Sequence, residues 1–367
     1  MDDHKILPKY VQLKNLLKKK IINKEIVSGK FPREAELRAK YGLSICTIKR
    51  ALRELVKEKY IKREQGRGTF VIYDSRKEAR KLTKTLNFLF YRTASEFEQD
   101  EFYVGLFEKI EYFSGIKGYK VIFTSIYDAF TKNIAVPEII KGGKIDGSFL
   151  IMIEDRVIKE IDRFNIPFVA VDYYSEHGYD FVTSDNVNGA KEATRYLIDL
   201  GHEKIGYVTW LRSYIEDWPN SAARMSGYSQ ALEERGLRVN PQFVRKVSGE
   251  LSHKFIVDDF IKNGVTGIVC FTDSIALLLI KKIKERALNV PEDMSVIGFG
   301  DCKEGRDDKI RLTTVKMDID DMAQKAVDML VSKIEGNHMG RNKIVLPTKL
   351  IIRGSCKEMN VGAKALN

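Results

Sequence analysis

The sequence is poor in the residues that build covalent or metal-based sites. Its four cysteines never stand two residues apart, which excludes zinc-knuckle and Cys-x-x-Cys redox motifs. We interpret Cys46, Cys270, Cys302 and Cys356 as reduced thiols, with Cys270 a small buried side chain. The five histidines show no metal-ligand spacing. We therefore expect neither a metal nor a cofactor.

Catalytic and membrane signals are missing as well. The sequence has no Gly-x-Ser-x-Gly elbow, no phosphate loop ending in Gly-Lys-Ser/Thr and no His-Glu-x-x-His. No apolar run approaches the roughly 18 to 20 residues of a membrane-spanning helix, and residues 1–9 lack the apolar core of a secretory signal. We expect a soluble, cytoplasmic protein that is not an enzyme.

The sequence does carry charge, and the charge is unevenly placed. Of 367 residues with net charge +11, residues 1–84 hold 24 basic and 10 acidic side chains, net +14, whereas the rest hold 38 and 41, net −3. At about 150 residues per domain, the length predicts two or three domains. A compact basic segment at one end is typical of a module that binds a polyanion such as DNA.

The basic segment is patterned for helices. Apolar residues at helical spacing predict a helix over Tyr10–Ile22 and a second over Glu34–Tyr41 that ends at Gly42. A third helix begins at Ser44, a residue type that caps helices well, and runs to Lys59. The second and third helices, joined by a two-residue turn, predict a helix-turn-helix.

A hairpin follows these helices. Residues 60–63 and 69–73 predict two strands around the turn Gln65-Gly66-Arg67-Gly68. Alone, a Gly-x-Gly turn indicates no ligand. After a helix-turn-helix it predicts the wing of a winged helix, where the absence of a Cβ lets the backbone approach a phosphate or a minor groove.

Residues 10–71 resemble the GntR family of bacterial transcription regulators. The resemblance rests on Phe-Pro-Arg-Glu-Ala-Glu-Leu at 31–37, Tyr41-Gly42-Leu43-Ser44, Thr47-Ile48-Lys49-Arg50-Ala51-Leu52 and Gln65-Gly66-Arg67-Gly68-Thr69-Phe70-Val71. It implies that the third helix enters the major groove of DNA. The implied DNA-binding residues are Arg33, Arg38, Ser44, Ile45, Cys46, Thr47, Lys49, Arg50, Gly66, Arg67 and Gly68.

Two positions depart from the family pattern. Members commonly place Arg at position 45 and Ser or Thr at position 33, where this chain has Ile45 and Arg33. Arg33 forgoes an N-cap hydroxyl but is suited to a phosphate. Ile45 either contacts a thymine methyl or belongs to the core of the three helices.

A polar segment, residues 74–84, separates the basic module from an alternating body. Apolar β-type runs and helical runs follow one another from Leu86 to Phe299, a rhythm that predicts parallel strands with crossover helices. The number of strands is large for one sheet, so we expect two lobes. The predicted domains are residues 1–73, a linker over 74–84, and residues 85–367.

The body resembles the effector domain of LacI/GalR repressors, a periplasmic-binding-protein-like fold. The motifs that carry the resemblance are Lys144-Ile145-Asp146-Gly147, Ser184-Asp185-Asn186, Leu200-Gly201-His202-Glu203-Lys204-Ile205, Arg224 with Gly227-Tyr228, and Val290-Pro291-Glu292-Asp293-Met294-Ser295. The resemblance implies a first lobe of about 85–184 with 316–341, and a second of about 185–315 with 342–357. The expected fold class is α/β, a winged helix-turn-helix followed by a two-lobed effector domain. A GntR-type head on a LacI-type body resembles arabinose-repressor-like regulators.

Ligands of open α/β sheets bind at the carboxyl ends of strands, which selects the residues that follow each predicted strand. By resemblance, Arg224 and Asp172 are effector contacts, and the turn after Phe299 matches a strand end that normally supplies a carboxylate. Here Gly300 occupies that carboxylate position and Thr272 stands where the family has Asn. The candidate effector-binding residues are Thr93, Tyr103, Asp172, Trp218, Arg224, Thr272, Asp273 and Asp301.

Several candidates have a structural alternative. Asp273 and Asp301 either contact the ligand or cap helices, and Trp210 and Trp218 either line the site or pack. We interpret His202, after a helix-ending glycine, as structural.

The sequence thus predicts a ligand-responsive transcription regulator, a repressor of carbohydrate-utilisation genes. It would bind an operator in double-stranded DNA as a homodimer and a monosaccharide or sugar derivative between its lobes. The alternative is a sugar-binding solute receptor or a sugar-modifying enzyme with a basic nucleic-acid-binding head.

Overall fold

The computed structural model describes residues 8–22, 25–26, 31–58, 60–64, 68–71, 82–126, 137–174, 178–210, 219–247, 250–337 and 342–359. The chain forms two compact units, Met1–Leu82 and Thr83–Asn367, called below the head and the body. None of the helices in the described residues has the length and apolarity needed to cross a membrane.

The head holds three helices and a hairpin. In chain order its elements are α1 (Lys9–Ile22), α2 (Glu34–Tyr41), α3 (Ile45–Lys57), β1 (Ile61–Glu64) and β2 (Gly68–Val71). Its core collects one apolar side chain from each helical turn, including Leu13, Leu17, Leu37, Ile48 and Leu52. The helix-turn-helix follows from Gly42, whose φ of 63° ends α2 in the left-handed conformation.

Strands β1 and β2 pair antiparallel, with Ile61 opposite Val71 and Glu64 opposite Gly68. The Phe31 N–H donates to the Thr69 carbonyl at 2.8 Å, which ties the hairpin to the segment before α2. The winged helix-turn-helix predicted from the sequence is therefore present.

The body alternates strands and helices. Its first elements are β3 (Thr85–Phe90), α4 (Ala94–Glu98), α5 (Glu101–Ile116), β4 (Lys120–Ser125), α6 (Glu138–Lys141), β5 (Gly147–Ile151), α7 (Asp155–Asp162), β6 (Phe168–Val171) and β7 (Phe181–Ser184). The chain continues through α8 (Asn186–Asp199), β8 (Ile205–Trp210), α9 (Pro219–Glu234), β9 (Val244–Val247), α10 (Glu250–Asn263), β10 (Gly267–Cys270), α11 (Asp273–Lys284) and β11 (Ser295–Phe299). It ends with β12 (Thr313–Lys316), α12 (Ile319–Ile334), β13 (Lys343–Leu346) and β14 (Lys349–Ile351).

The described strands of the body form two six-stranded sheets, one per lobe. The first sheet has the order β13-β7-β6-β5-β3-β4 and is parallel throughout. The second has the order β14-β12-β11-β10-β8-β9, in which only β14 is antiparallel. Inner strands such as β5, β6 and β11 are buried along their whole length, as expected of parallel strands covered by helices on both faces.

The lobe boundary near the end of the chain differs from the expectation. The sequence placed residues 342–357 in the second lobe, but β13 pairs with β7 of the first sheet, with Lys343 opposite Phe181. The chain returns to the second lobe only at β14, where Lys349 pairs with Lys316. Strand β13 is a short, half-exposed edge strand, and its four residues hold no signal for which sheet accepts it.

Candidate functional site

Helix α3 has one buried face and one exposed face. The Ser44 Oγ caps the helix by accepting the Thr47 N–H at 3.3 Å, and it lies 2.8 Å from Thr47 Oγ1. The buried stripe consists of Ile48, Ala51, Leu52 and Leu55. The residues exposed at the start of the helix are Ile45, Cys46, Lys49 and Arg50. The resemblance to GntR regulators assigns this exposed face to DNA.

Ile45 belongs to the exposed face. Its side chain is 37% exposed and is absent from the buried core of the head. Of the two readings open at the sequence level, the structure therefore favours a surface residue over a core residue. An apolar side chain at this place is suited to a thymine methyl and cannot hydrogen-bond a guanine.

Arg50 is oriented by an aromatic side chain. Its guanidinium carbon lies 3.9 Å from the centroid of the Tyr10 ring in α1. A cation held over a ring face keeps its charge while losing freedom of movement, which suits a phosphate contact. Lys49 is exposed beside it on α3.

Arg33 and Arg38 lie at the two ends of α2 and are both exposed. Arg33 occupies the N-cap, where its guanidinium has no acceptor to offer the first-turn N–H groups. Its own N–H donates to Glu36 Oε2 at 3.2 Å. This bond supplies the half of a capping box that does not depend on a Ser or Thr, so the helix begins here despite the departure from the family pattern.

The described part of the wing starts at Gly68. Its φ of 116° is a conformation that residues with a Cβ rarely adopt, which explains glycine at the start of β2. Gly66 and Arg67, predicted for the tip of the wing, lie outside the described residues.

Among the candidate effector-binding residues of the body, Arg224 is the one with a cationic side chain, and it is buried. It lies in α9 and is 4% exposed. Its Nε donates to Asn186 Oδ1 at 2.7 Å and its Nη1 to the Phe271 carbonyl at 2.5 Å. The guanidinium carbon is 3.7 Å from the centroid of the Phe299 ring. Arg224 thus sits where α8 begins and where β10 and β11 end.

Gly227 allows this placement. A Cβ at Gly227 would lie 2.1 Å from the carbonyl oxygen of Val187 in α8, so α8 and α9 approach each other closely only because position 227 is glycine. Arg224 precedes Gly227 by one turn. The spacing Arg224-x-x-Gly227 therefore joins a functional candidate to the helix contact that presents it to Asn186.

Asp172 forms a buried cluster that joins the two lobes. It follows β6, is 2% exposed and accepts the Tyr103 hydroxyl at 3.0 Å through Oδ2. The Asn220 side-chain amide, from the second lobe, donates to Asp172 Oδ1 at 3.0 Å and to its carbonyl at 2.9 Å. Burial raises the pKa of Asp172 to about 6, although the charge of Arg224 and the Tyr103 hydrogen bond act in the opposite direction.

Sequence reasoning missed Asn220. Helix α9 begins at Pro219, so Asn220 lies in its first turn, and no motif of the sequence marks it. The available signal was its position four residues before Arg224, which puts both side chains on one face. Its Oδ1 is buried and has no hydrogen-bond partner among the described residues. A buried acceptor of this kind is one that a ligand hydroxyl can satisfy.

Asp273 is held by its own chain. Its carboxylate accepts the Thr314 hydroxyl at 2.5 Å and the Cys302 N–H at 2.7 Å, and burial raises its pKa. Gly298 makes room for it, because a Cβ there would lie 2.0 Å from Asp273 Oδ1. The cap of α11 is Thr272, whose hydroxyl accepts an N–H of the first turn. Asp273 is therefore not the capping residue.

Asp301 is also paired within the chain and caps no described helix. Arg353 Nη2 lies 2.5 Å from its Oδ1 and Arg306 Nη2 lies 3.1 Å from its Oδ2. The backbone reaches this point through Gly300, with φ of 140°, and through Asp301 itself, with φ of 59°. The carboxylate of Asp301 thereby fixes the strand end between two arginines.

The remaining candidates lie apart from the Asp172 cluster or outside the described residues. Thr93 caps α4, with its Oγ1 accepting the Glu96 N–H at 3.2 Å. Trp210 ends β8 and is half-buried, and Trp218 lies outside the described residues. His202 is buried, with one ring nitrogen 2.9 Å from Thr266 Oγ1, in keeping with a structural role.

Comparison with known families follows the same division of the chain. Residues 9–71 match the model of the bacterial regulatory proteins of the gntR family. Residues 194–356 match the model of the periplasmic binding protein-like domain.

Two curated relatives match nearly the whole chain. The arabinose metabolism transcriptional repressor of Halalkalibacterium halodurans is 27% identical over 95% of this chain and 97% of its own length. The repressor of the same name from Geobacillus stearothermophilus is also 27% identical, over 97% of this chain and 99% of its own. The chain is a transcription regulator with a GntR-type DNA-binding domain and a periplasmic-binding-protein-like domain. It is not an enzyme.

A solved structure shows the fold of the regulator as well. The transcriptional regulator CelR in complex with cellobiose superimposes with a TM-score of 0.67 at 19% identity, over 89% of this chain and 100% of its own. The two sheets of the body are thus the two lobes of this fold.

Proposed function

We propose that this regulator is a homodimeric repressor of carbohydrate-utilisation genes whose affinity for its operator is controlled by a sugar-like effector bound between the lobes of the body. The observation that carries the proposal is the buried cluster of Tyr103, Asp172, Asn220 and Arg224, to which both lobes contribute. Such a regulator would act in the cytoplasm, where its DNA lies.

On the DNA side, the exposed start of α3 faces the base edges and the arginines face phosphates. Ser44, Ile45, Cys46, Thr47 and Lys49 would enter the major groove, while Arg33, Arg38 and Arg50 would contact the backbone. Gly66, Arg67 and Gly68 would form the wing. A dimer places two recognition helices about 34 to 36 Å apart, which matches the two-fold symmetry of a palindromic operator.

On the effector side, the candidates divide by their present partners. Tyr103, Asp172 and Arg224 lie at the lobe junction, and Asn220 adds an acceptor with no donor among the described residues. Thr272, Asp273 and Asp301 lie at strand ends of the second lobe and remain proposed contacts, as do Thr93 and Trp218. Carboxylates, amides and aromatic rings are the groups that bind sugar hydroxyls and sugar faces.

The switch would be a change in how the lobes close. In the structure the lobes are joined by Asn220 to Asp172, and also by the Lys303 N–H, which donates to Glu101 Oε2 at 2.9 Å. An effector that competes for these groups prefers one arrangement of the lobes. Only such a preference shifts the equilibrium between the two arrangements of the lobes. A preference of about 10⁴-fold is needed to move their population ratio from 1:99 to 99:1.

The names of similar proteins support a sugar. Two relatives that match nearly the full chain are repressors of arabinose metabolism, and a structure of the same fold holds cellobiose.

A thermal-shift screen of monosaccharides, disaccharides and sugar phosphates tests the proposal. Bound ligand stabilises the folded protein by RT ln(1 + [L]/Kd), about 2.7 kcal/mol at 100 times Kd. We expect at least one neutral sugar, with arabinose first on the panel, to raise the Tm of the wild type. The sugar should not raise the Tm of Arg224→Ala. A panel that leaves the wild type unchanged would contradict a sugar effector.

A further inference from the structure

Asp146 holds the first residues of the body through both oxygens of one carboxylate. Its Oδ1 accepts the Thr83 N–H at 2.9 Å and its Oδ2 accepts the Lys84 N–H at 2.8 Å. The N–H of Asp146 itself donates to the Thr85 carbonyl at 2.8 Å. Asp146 is 2% exposed and directly precedes β5. A buried carboxylate with two backbone donors forms a strong clamp, because charge-assisted bonds are about twice as strong as neutral ones.

The clamped segment is held at further points. Lys84 has φ of 53°, an unfavourable conformation for a residue with a Cβ. Its carbonyl accepts the Lys120 N–H at 3.0 Å, and its ammonium lies 4.2 Å from the centroid of the Tyr119 ring. A non-glycine residue keeps such a backbone only where its surroundings over-determine it. The path of the chain at Lys84 is therefore tightly specified.

The clamp lies where the chain enters the body. Thr83 is the first residue of that unit, and β3 follows at Thr85. Asp146 stands at the amino ends of β3 and β5, whereas Asp172, the centre of the effector cluster, stands at the carboxyl end of β6 in the same parallel sheet. The first sheet thus carries the proposed effector contact at the carboxyl ends of its strands and the connection to the head at their amino ends.

The first sheet does not depend on the clamp for its strands. Strand β3 is paired along its length on both sides, with β4 from Thr85 to Phe90 and with β5 from Leu86 to Phe90. Thr83 and Lys84 precede β3 and are exposed, although the Lys84 carbonyl still accepts the Lys120 N–H of β4. The side chain of Asp146 therefore adds little to the strand pairing and mainly determines where the chain enters the sheet.

We propose that Asp146 is a positioning residue that couples the body to the head. By clamping Thr83 and Lys84, it makes the entry point of the chain move as one piece with the first lobe, so that a change in the lobes reaches the DNA-binding unit. The coupling rests on the proposed effector control. Release of two residues adds up to about 7 Å of slack to each connection, which a dimer on two half-sites experiences twice.

The matched variants are Asp146→Asn and Asp180→Asn in the full chain. Asp180 is also buried in the first sheet, accepts a backbone N–H, that of Asn342 at 2.7 Å, and pairs with Lys333 at 2.5 Å. It stands before β7, away from the entry point. Both variants thus lose a buried carboxylate that fixes a strand start, and only one of them touches the connection to the head.

Three readouts compare the variants with the wild type. They are amide hydrogen exchange of the peptide that contains Thr83 and Lys84, operator affinity without sugar, and the change of that affinity with saturating arabinose. The operator is DNA selected from random sequence by the wild-type chain. We expect Asp146→Asn to lose protection at residues 83 and 84, to bind the operator up to about twofold more weakly through loss of effective concentration, and to lose its arabinose response. Asp180→Asn should behave as the wild type in all three.

Thr83→Pro offers a second route, since it removes one donor of the clamp at an exposed position and leaves the buried carboxylate in place. It should weaken operator affinity in the same direction as Asp146→Asn. Equal operator affinity and equal arabinose response in Asp146→Asn and Asp180→Asn would overturn the proposal. If the wild type itself ignores arabinose, the proposed effector is wrong for that sugar, and hydrogen exchange with sugar-free operator affinity still decides the clamp.

Discussion

The head and the body place their proposed functional side chains in opposite environments. In the head, Lys49 and Arg38 are exposed and Arg50 is stacked on a tyrosine at the surface. In the body, Tyr103, Asp172 and Arg224 are all less than 5% exposed and bound to groups of their own chain. The proposed DNA contacts are therefore accessible at the surface, whereas the proposed effector contacts already have partners that a ligand must replace or join.

This difference determines what a substitution does. An exposed basic residue contributes to binding and little to folding, so its removal separates function from stability. A buried polar residue contributes to both, since its loss leaves former partners unsatisfied. Substitutions in the head should thus change binding alone, whereas those in the body should change both binding and stability. The largest losses of stability are expected in the body.

The largest expected effect is that of Arg224→Ala. Removal of the side chain leaves Asn186 Oδ1 and the Phe271 carbonyl without their donor and opens a cavity against Phe299, which should destabilise the body by about 2 to 5 kcal/mol. Urea unfolding measures the loss, and thermal shift with the selected sugar measures the loss of binding. Arg224→Lys is the matched variant, which keeps the charge but not the fork of donors. Stability equal to that of the wild type would contradict the buried role.

The next effect concerns DNA. Lys49→Ala should weaken operator binding by about 1 to 3 kcal/mol or lower the slope of affinity against salt by about one, according to whether Lys49 meets a base or a phosphate. Its Tm should match that of the wild type. The control is Lys57→Ala near the end of the same helix, whose side chain is 75% exposed. Equal losses from both substitutions would mean that charge alone, and not the start of α3, binds DNA.

A pH series sharpens the comparison at Asp172. The folded carboxyl keeps its proton up to about pH 6, while in the unfolded chain it loses the proton near 3.8. The folded state therefore binds more protons in that window, and the contribution of Asp172 to stability falls as pH rises through it and levels off above pH 6. Between pH 4 and 7, Asp172→Asn should gain up to about 3 kcal/mol relative to the wild type. Parallel unfolding free energies across the series would contradict the raised pKa.

The smallest effect on stability is expected for Ile45→Ala. Because the side chain is exposed, the free energy of unfolding should change by less than about 0.5 kcal/mol. Operator selection should show relaxed preference for thymine at one position, a discrimination of about 1 kcal/mol. A large loss of stability with unchanged sequence preference would return Ile45 to the core of the head.

The sequence predicted most of the fold because local signals and motifs agreed. Gly42 predicts the end of α2 through its left-handed backbone, and Ser44 predicts the start of α3 through its capping hydroxyl. The structure has both features at these residues. The sequence did not predict that β13 belongs to the first lobe. The partner of a four-residue edge strand is set by tertiary contacts and not by its own residues.

The candidate site was less accessible to prediction. Arg224 and Asp172 came from motifs at helix and strand ends, but the partners of Asp301, Arg353 and Arg306, lie 52 and 5 residues away in the chain. Nothing near Asp301 in the sequence shows that Arg353, 52 residues away, already binds its carboxylate. Asn220 was missed for a related reason, because its partner Asp172 lies 48 residues away in the chain, in the other lobe.

The most direct test is a titration of the selected operator with the wild type and with Arg224→Ala, each with and without the sugar that stabilises the wild type. If the exposed head and the buried cluster form one switch, the sugar changes the operator affinity of the wild type by about tenfold or more, a coupling of about 1.4 kcal/mol, and leaves that of Arg224→Ala unchanged. A sugar that stabilises the wild type while the operator affinity stays the same would contradict the account.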